Sequence, residues 1–202
     1  MEIISLVISA SALVVALAAT FIIPRKIMID QRYSDLLQEY RSSEMGAAIL
    51  SVCHFYVHDC KNDVGNIAAK YREKYIAQIE DKLTNGEPID YAHTLHFQRR
   101  LIAQFYYDMA YLRYNLHCPR LSKKQLQDWF TPSEVDLLAI ILHMAGPARE
   151  VFEEACCVPD PLKKDENDVP MNKLLCDLYR DSKRWVQSTS PAAISHKGRY
   201  YG

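Results

Sequence analysis

From Ile3 to Ile23 the chain carries 21 consecutive residues without a charge. Wound as a helix, that run spans about 31 Å, the thickness of a bilayer's hydrocarbon core. It sets residues 1–24 apart as a transmembrane anchor and leaves 25–187 as a helical domain, with 188–202 as a disordered tail. Ala16-Leu17-Ala18 has the small-x-small form of a signal-peptidase site. Against cleavage, the amino end holds Glu2 and no Lys or Arg, and the apolar run continues to Ile23 before Pro24-Arg25-Lys26 closes it. A retained single-pass anchor fits better.

Arg25, Lys26, Arg32 and Arg41 follow the run, whereas only the amino terminus is basic before it. The positive-inside rule then places the C-terminal domain in the cytoplasm and the N terminus outside, across the cell (inner or plasma) membrane. The lipid bilayer is thus the first expected partner. Ser5, Ser9, Ala12, Ala16 and Ala19 follow one face of the anchor at spacings of 4, 3, 4 and 3. Such a stripe lets two helices approach closely, so it is a candidate homo-oligomer contact. A segment this rich in Ala and Ser also offers small residues on any face.

Composition excludes more than it names. A formal net charge of −1 leaves no excess of cations to displace counterions, so nucleic acid is not an expected partner. Six cysteines, at 53, 60, 118, 156, 157 and 176, read in a cytoplasmic domain as reduced, small apolar residues. There is no phosphate-binding glycine loop and no Gly-x-Ser-x-Gly sequence, and no cofactor is implied.

Apolar spacing is helical throughout, with no strand pattern and no internal repeat, which gives an all-α bundle of six to seven helices. A helical stretch from Gln31 to about Asp59 divides at Ser42-Ser43, with Ser43 as the cap. Asp63 caps a helix to Lys82, which Asn85-Gly86 ends. The longest helix is expected from Pro88 to His117, with Leu95, Gln98, Ile102, Phe105, Met109, Leu112 and Leu116 as the core stripe. Ser122 and Gln125 open a short helix carrying Leu126, Trp129 and Phe130. Thr131-Pro132-Ser133-Glu134 joins a cap, a first-turn proline and a capping-box carboxylate. It opens a buried helix, Val135 to Ala145, that Gly146-Pro147 breaks. Residues 158–170 read as a loop, and Met171 to about Gln187 as the last helix.

Three patterns lie on these helices: Tyr40-x-x-Ser43-Glu44-Met45, Arg99-Arg100 followed by Phe105-Tyr106 and Ala110, and Leu126-x-x-Trp129-Phe130. With the anchor, they resemble a prokaryotic domain-of-unknown-function family of membrane-anchored bacterial and phage proteins. The resemblance spans roughly residues 1–155 and implies an anchored helical domain. That family has no established catalytic residues, so it assigns none here.

Among chemistry-bearing clusters, Cys53-His54-x-x-x-His58-x-Cys60 is the leading metal candidate. His54 and His58 are one turn apart, but neighbouring helical positions diverge by about 100°, so four-fold ligation by Cys53, His54, His58 and Cys60 needs the helix to unwind near His58. His58-Asp59 has the form of an HD phosphohydrolase pair without that family's more distant ligands, and Asp90-x-x-His93 is half of a di-iron motif without a second copy. Arg113 and His117 are too close for an Arg-x4–6-His ribonuclease site. Arg99 and Arg100 enter an apolar helix, and the one nearest the core needs a carboxylate, for which Glu44 and Asp108 are the candidates, unless both arginines extend to solvent. No catalytic residue stands out. The sequence favours a membrane-anchored interaction or regulatory module with a protein partner. The alternative is a tethered metal-dependent hydrolase or defence-type effector using His54, His58, Asp59 and Asp63.

Overall fold

The computed structural model describes residues 2–86, 93–114, 121–156 and 170–189, which are helical with no strand among them. Helix α1 (Glu2–Leu17) passes through a π-helical turn (Ala18–Ile22) directly into α2 (Ile23–Tyr40). Pro24 therefore does not end the apolar helix. A proline removes one backbone donor and crowds the carbonyl four residues earlier, here Thr20. The wider turn before it, closed by Ile23 N–H donating to Ala18 O, relieves that crowding. Within this continuous rod Leu13, Val14, Val15, Phe21 and Ile27 are all more than half exposed, and burial begins at Ile29, 3% exposed. Among the described residues, Ala10–Tyr40 is one helix long and apolar enough to cross a membrane.

Ser42 breaks the rod from the rest. Its side chain accepts Met45 N–H at 3.1 Å, so Ser42 rather than Ser43 caps α3 (Ser43–His54). A second π turn, Phe55–Asp59, extends α3, and a single 3₁₀ turn, Val64–Asn66, leads into α4 (Ile67–Thr84). Asp63 caps that turn through Gly65 N–H at 2.9 Å. Gly86, at φ +66°, takes the left-handed conformation that closes α4, as Asn85-Gly86 implies.

Helix α5 (Leu95–Tyr114) is the spine and packs on α2, α3, α7 and α8. Its buried face holds Leu95, Ile102, Phe105, Met109 and Leu112 of the expected stripe, with Gln98 only half-buried. The proposed ends at Pro88 and at Leu116-His117, together with Asp90, Cys118, Cys157, the 158–169 loop and the 190–202 tail, lie outside the described residues. Helix α6 (Lys123–Trp129) opens on a complete capping box between Ser122 and Gln125. Helix α7 (Pro132–Cys156) is 25 residues long against 20 for α5, because it runs through Pro147 instead of breaking there. Leu137, Leu138, Ile141 and Met144 bury it as expected. Helix α8 (Pro170–Thr189) closes the bundle with Leu175, Leu178 and Trp185.

Contacts along α2 set the bundle's direction. Gln125 meets Asp30 (3.4 Å) and Tyr33 (3.2 Å), and Trp129 meets Tyr40 (5.3 Å between rings), so α6 runs parallel to α2. Arg32 meets Asp108 and Tyr40 meets Phe105, so α5 runs antiparallel. The start of α5 thus lies far from the apolar segment. His96 joins Tyr71 there, and Phe55 packs on Tyr71.

Candidate functional site

Helix α3 with its π turn and α7 leave a cleft of about 620 Å³. Val57, Leu137, Ala139 and Ile140 make its apolar lining, and Tyr179 of α8 closes one side. Size and lining fall within the ordinary range of ligand sites. Leu50, one turn before Cys53 on α3, is 71% exposed, and Val64 on the rim is 45% exposed. The loop beside the cleft is tightly built. Lys61 and Asn62 both take positive φ, 55° and 59°. Tyr56 OH donates to Asn62 O (2.9 Å), Asn66 Nδ2 donates to Cys60 O (3.2 Å), and Lys74 Nζ pairs with Asp59 at 2.6 Å. Those bonds hold two non-glycine residues in the left-handed region, where unsupported backbone is strained.

Polar groups enter the cleft from α7. Ser133, Asp136 and His143 recur at spacings of 3 and 7, the last two within the otherwise apolar Val135–Ala145 stretch. Asp136 is exposed at the cleft, yet desolvation by its walls raises its carboxyl above the ordinary range, and among the described residues no ion pair engages it. Burial, with Asp136 and Asp63 nearby, also raises the Tyr56 phenol. Behind the cleft wall, Tyr40 OH donates to Glu134 Oε1 at 2.6 Å, and Tyr106 OH lies 2.9 Å from Oε2. The Glu134 carboxylate is thus turned inward to two phenols instead of back to a capping box, although Thr131 still accepts Glu134 N–H. Burial and then the Glu134 carboxylate raise the Cys53 thiol, which favours the unreactive form.

The metal candidates do not converge. His54 and His58 are exposed and face each other, rings 4.3 Å apart. Cys60 is fully buried on the core side, its thiol raised to about 11 by burial and Asp59, and Cys53 lines the cleft. Helix widening does occur at His58, as the π turn, yet among the described residues no group of three or more His, Cys, Asp or Glu is gathered for a metal. Cys53, Cys60 and Cys176 are free thiols.

Arg99 is the core-facing arginine, but its partner is not a carboxylate. It donates to the Tyr71 hydroxyl, which in turn reaches His96 Nδ1 at 2.9 Å. Asp108 is held by Arg32 at 3.0 Å and by Gln104, and Glu44 is exposed in the first turn of α3. Neither joins Arg99 or the exposed Arg100 among the described residues, because both lie away from the Tyr71–His96 end of α5. In the small-residue stripe, Ala12, Ala16 and Ala19 are exposed, and the side chains of Ser5 and Ser9 lie outside the described ones. Sequence reasoning missed the cleft's Asp136, His143 and Tyr179. The available signal was the polar Asp136–His143 repeat within the apolar α7 segment.

No family model matches the chain, and no match was found among curated proteins or solved structures. The family resemblance carried by the Tyr40, Arg99 and Leu126 patterns gains no support from these comparisons.

Proposed function

We propose that the chain is a membrane-anchored interaction module whose α3–α7 cleft holds an apolar segment of a cytoplasmic protein partner. The observation that carries this reading is the cleft itself, an apolar slot with Leu50 and Val64 exposed beside it and an exposed Asp136 in its lining that joins no ion pair among the described residues. That chemistry fits an amphipathic segment whose apolar side chains enter the slot while a Lys or Arg meets Asp136. A rod such as α1–α2 supports the tether: Tyr40, whose bond to Glu134 adjoins the cleft, is about 25 Å along the helix from Ile23. The partner site is then clear of the bilayer and open to the cytosol.

Site-specific photo-crosslinking in intact cells tests this. With p-benzoylphenylalanine at Leu50 or Val57, discrete protein adducts are expected that are absent from a Glu39 control on α2. Ala139→Trp, which fills the slot, and Asp136→Lys, which reverses its charge, should each remove them without loss of expression. Adducts no stronger than at Glu39, or adducts that survive both substitutions, would sink the reading.

A further inference from the structure

We infer that the folded domain itself rests on the bilayer, with Lys123 and Lys124 of α6 joining Arg25 and Lys26 in binding anionic phospholipid headgroups. The inference rests on the anchor reading and adds a second point of lipid contact about 100 residues further along the chain. Because α6 is parallel to α2 and Gln125 touches Asp30 and Tyr33, Lys123 and Lys124 lie on the anchor side of that contact. Asp30 is seven residues beyond Ile23, about 10 Å of rise, and stepping back from Gln125 to Lys123 returns about 3 Å. Both backbones therefore sit about 8 Å past the end of the apolar run. The headgroup layer on each side is roughly 5–7 Å deep, within reach of a lysine stem.

Among the described residues, charge at this level is predominantly positive. Arg25, Lys26, Lys123 and Lys124 are all exposed, and none joins an ion pair among the described residues. Of the described acids near this layer, Asp30 is met by Gln125 at 3.4 Å and Asp108 by Arg32 at 3.0 Å, while Asp177 and Asp181, beside Tyr114, pair with Arg180 and Arg184. Ile27 and Met28, 62% and 57% exposed, add apolar surface between the basic residues and the buried Ile29. A cationic rim around an exposed apolar collar is complementary to an anionic lipid surface, where each lysine contributes about 1 kcal/mol, or fivefold. At the opposite end, Lys61 projects from the loop beside Tyr56, near the Phe55–Tyr71–His96 contacts. It is an internal reference on the same molecule.

The full chain would be reconstituted into nanodiscs of phosphatidylcholine alone, or of phosphatidylcholine with phosphatidylglycerol. Acylation rates of individual lysines by a water-soluble amine reagent would be read by mass spectrometry. Phosphatidylglycerol should slow Lys123 and Lys124 about fivefold relative to Lys61, with the protection lost in about 1 M salt, where screening acts within about 3 Å. Equal Lys123, Lys124 and Lys61 ratios in both discs would overturn the surface contact and leave the anchor intact. Alkaline extraction separates the two: a chain released from the bilayer at high pH would overturn the anchor, and the surface contact with it.

Discussion

Two phenols share the carboxylate of Glu134, and that arrangement links the rod to the spine and to α7. Tyr106 is fully buried, and its OH reaches Glu134 O at 3.1 Å as well as Oε2, so losing the carboxylate leaves it the backbone acceptor but takes a charge-assisted bond from each phenol, at a cost of about 1.5–3 kcal/mol. Glu134→Ala should therefore lower stability by about 2 kcal/mol, and Tyr40→Phe by about 1 kcal/mol. A double-mutant cycle on thermal melts should return a coupling of the same sign, and strictly additive losses would show the bond to be idle. The sequence placed Glu134 in a capping box because local rules cannot register a tyrosine 94 residues away. Arg99 misled for the same reason: its position in an apolar helix was legible, and its partner Tyr71 was not. Burial first, then Arg99 and Arg100, lowers His96 to about 4 from 6.5, so the ring is neutral at pH 7 and pairs with the Tyr71 hydroxyl through Nδ1. In the unfolded chain His96 binds its proton near pH 6.5, before the folded chain does, so its contribution is complete above that pH and is lost as pH falls toward about 4. The melting temperature should drop across that window, and drop less in His96→Gln. Parallel curves for the two proteins would rule out His96 as the source.

Helix type and core faces were legible at the scale of elements because both follow from a 3.6-residue repeat that each segment carries alone. The stripe of α5, the Ser122–Gln125 box and the Gly86 stop all came through. Breaks were less legible. Pro24 and Pro147 each lie inside a helix, where a π turn in one case and a long buried flank in the other hold the geometry against a local penalty of about 3 kcal/mol. The cleft was illegible for a related reason: a π turn shifts every following side chain by one position, and no periodicity argument anticipates it. Gly146 offers a direct test of α7 continuity. It is helical and exposed, and a Cβ built there meets nothing within 4 Å. Gly146→Ala should raise stability by about 0.5–1 kcal/mol if α7 is one helix, since alanine removes unfolded-state entropy without a clash. A loss of stability would mean that the chain turns at Gly146-Pro147 after all.

Across the whole molecule, the unbroken passage from apolar segment to domain matters more than either part. Arg32, Tyr33 and Tyr40 bond from α2 to Asp108, Gln125 and Glu134, and Ile29 and Leu36 are buried beneath them. The bundle is thereby fixed to the rod over three turns, beginning six residues past Ile23. A flexible linker would let the domain sample any orientation above the bilayer. In the anchored reading proposed above, a rod presents one face to the lipid and keeps the cleft at a set height, so the proposed partner binding and any pairing of the Ala12–Ala16 faces become geometrically linked. Nitroxide labels at Leu17→Cys and Gln187→Cys, in a chain otherwise freed of cysteine, should give one narrow distance distribution in nanodiscs. Two glycines inserted between Arg25 and Lys26 should broaden it, and Leu36→Ala, which empties a buried site at a cost of about 2–5 kcal/mol, should broaden it partway. A broad distribution in the unmodified chain would place a hinge in the Ala18–Ile22 π turn, and the anchor would then set only the domain's distance from the bilayer, not its orientation.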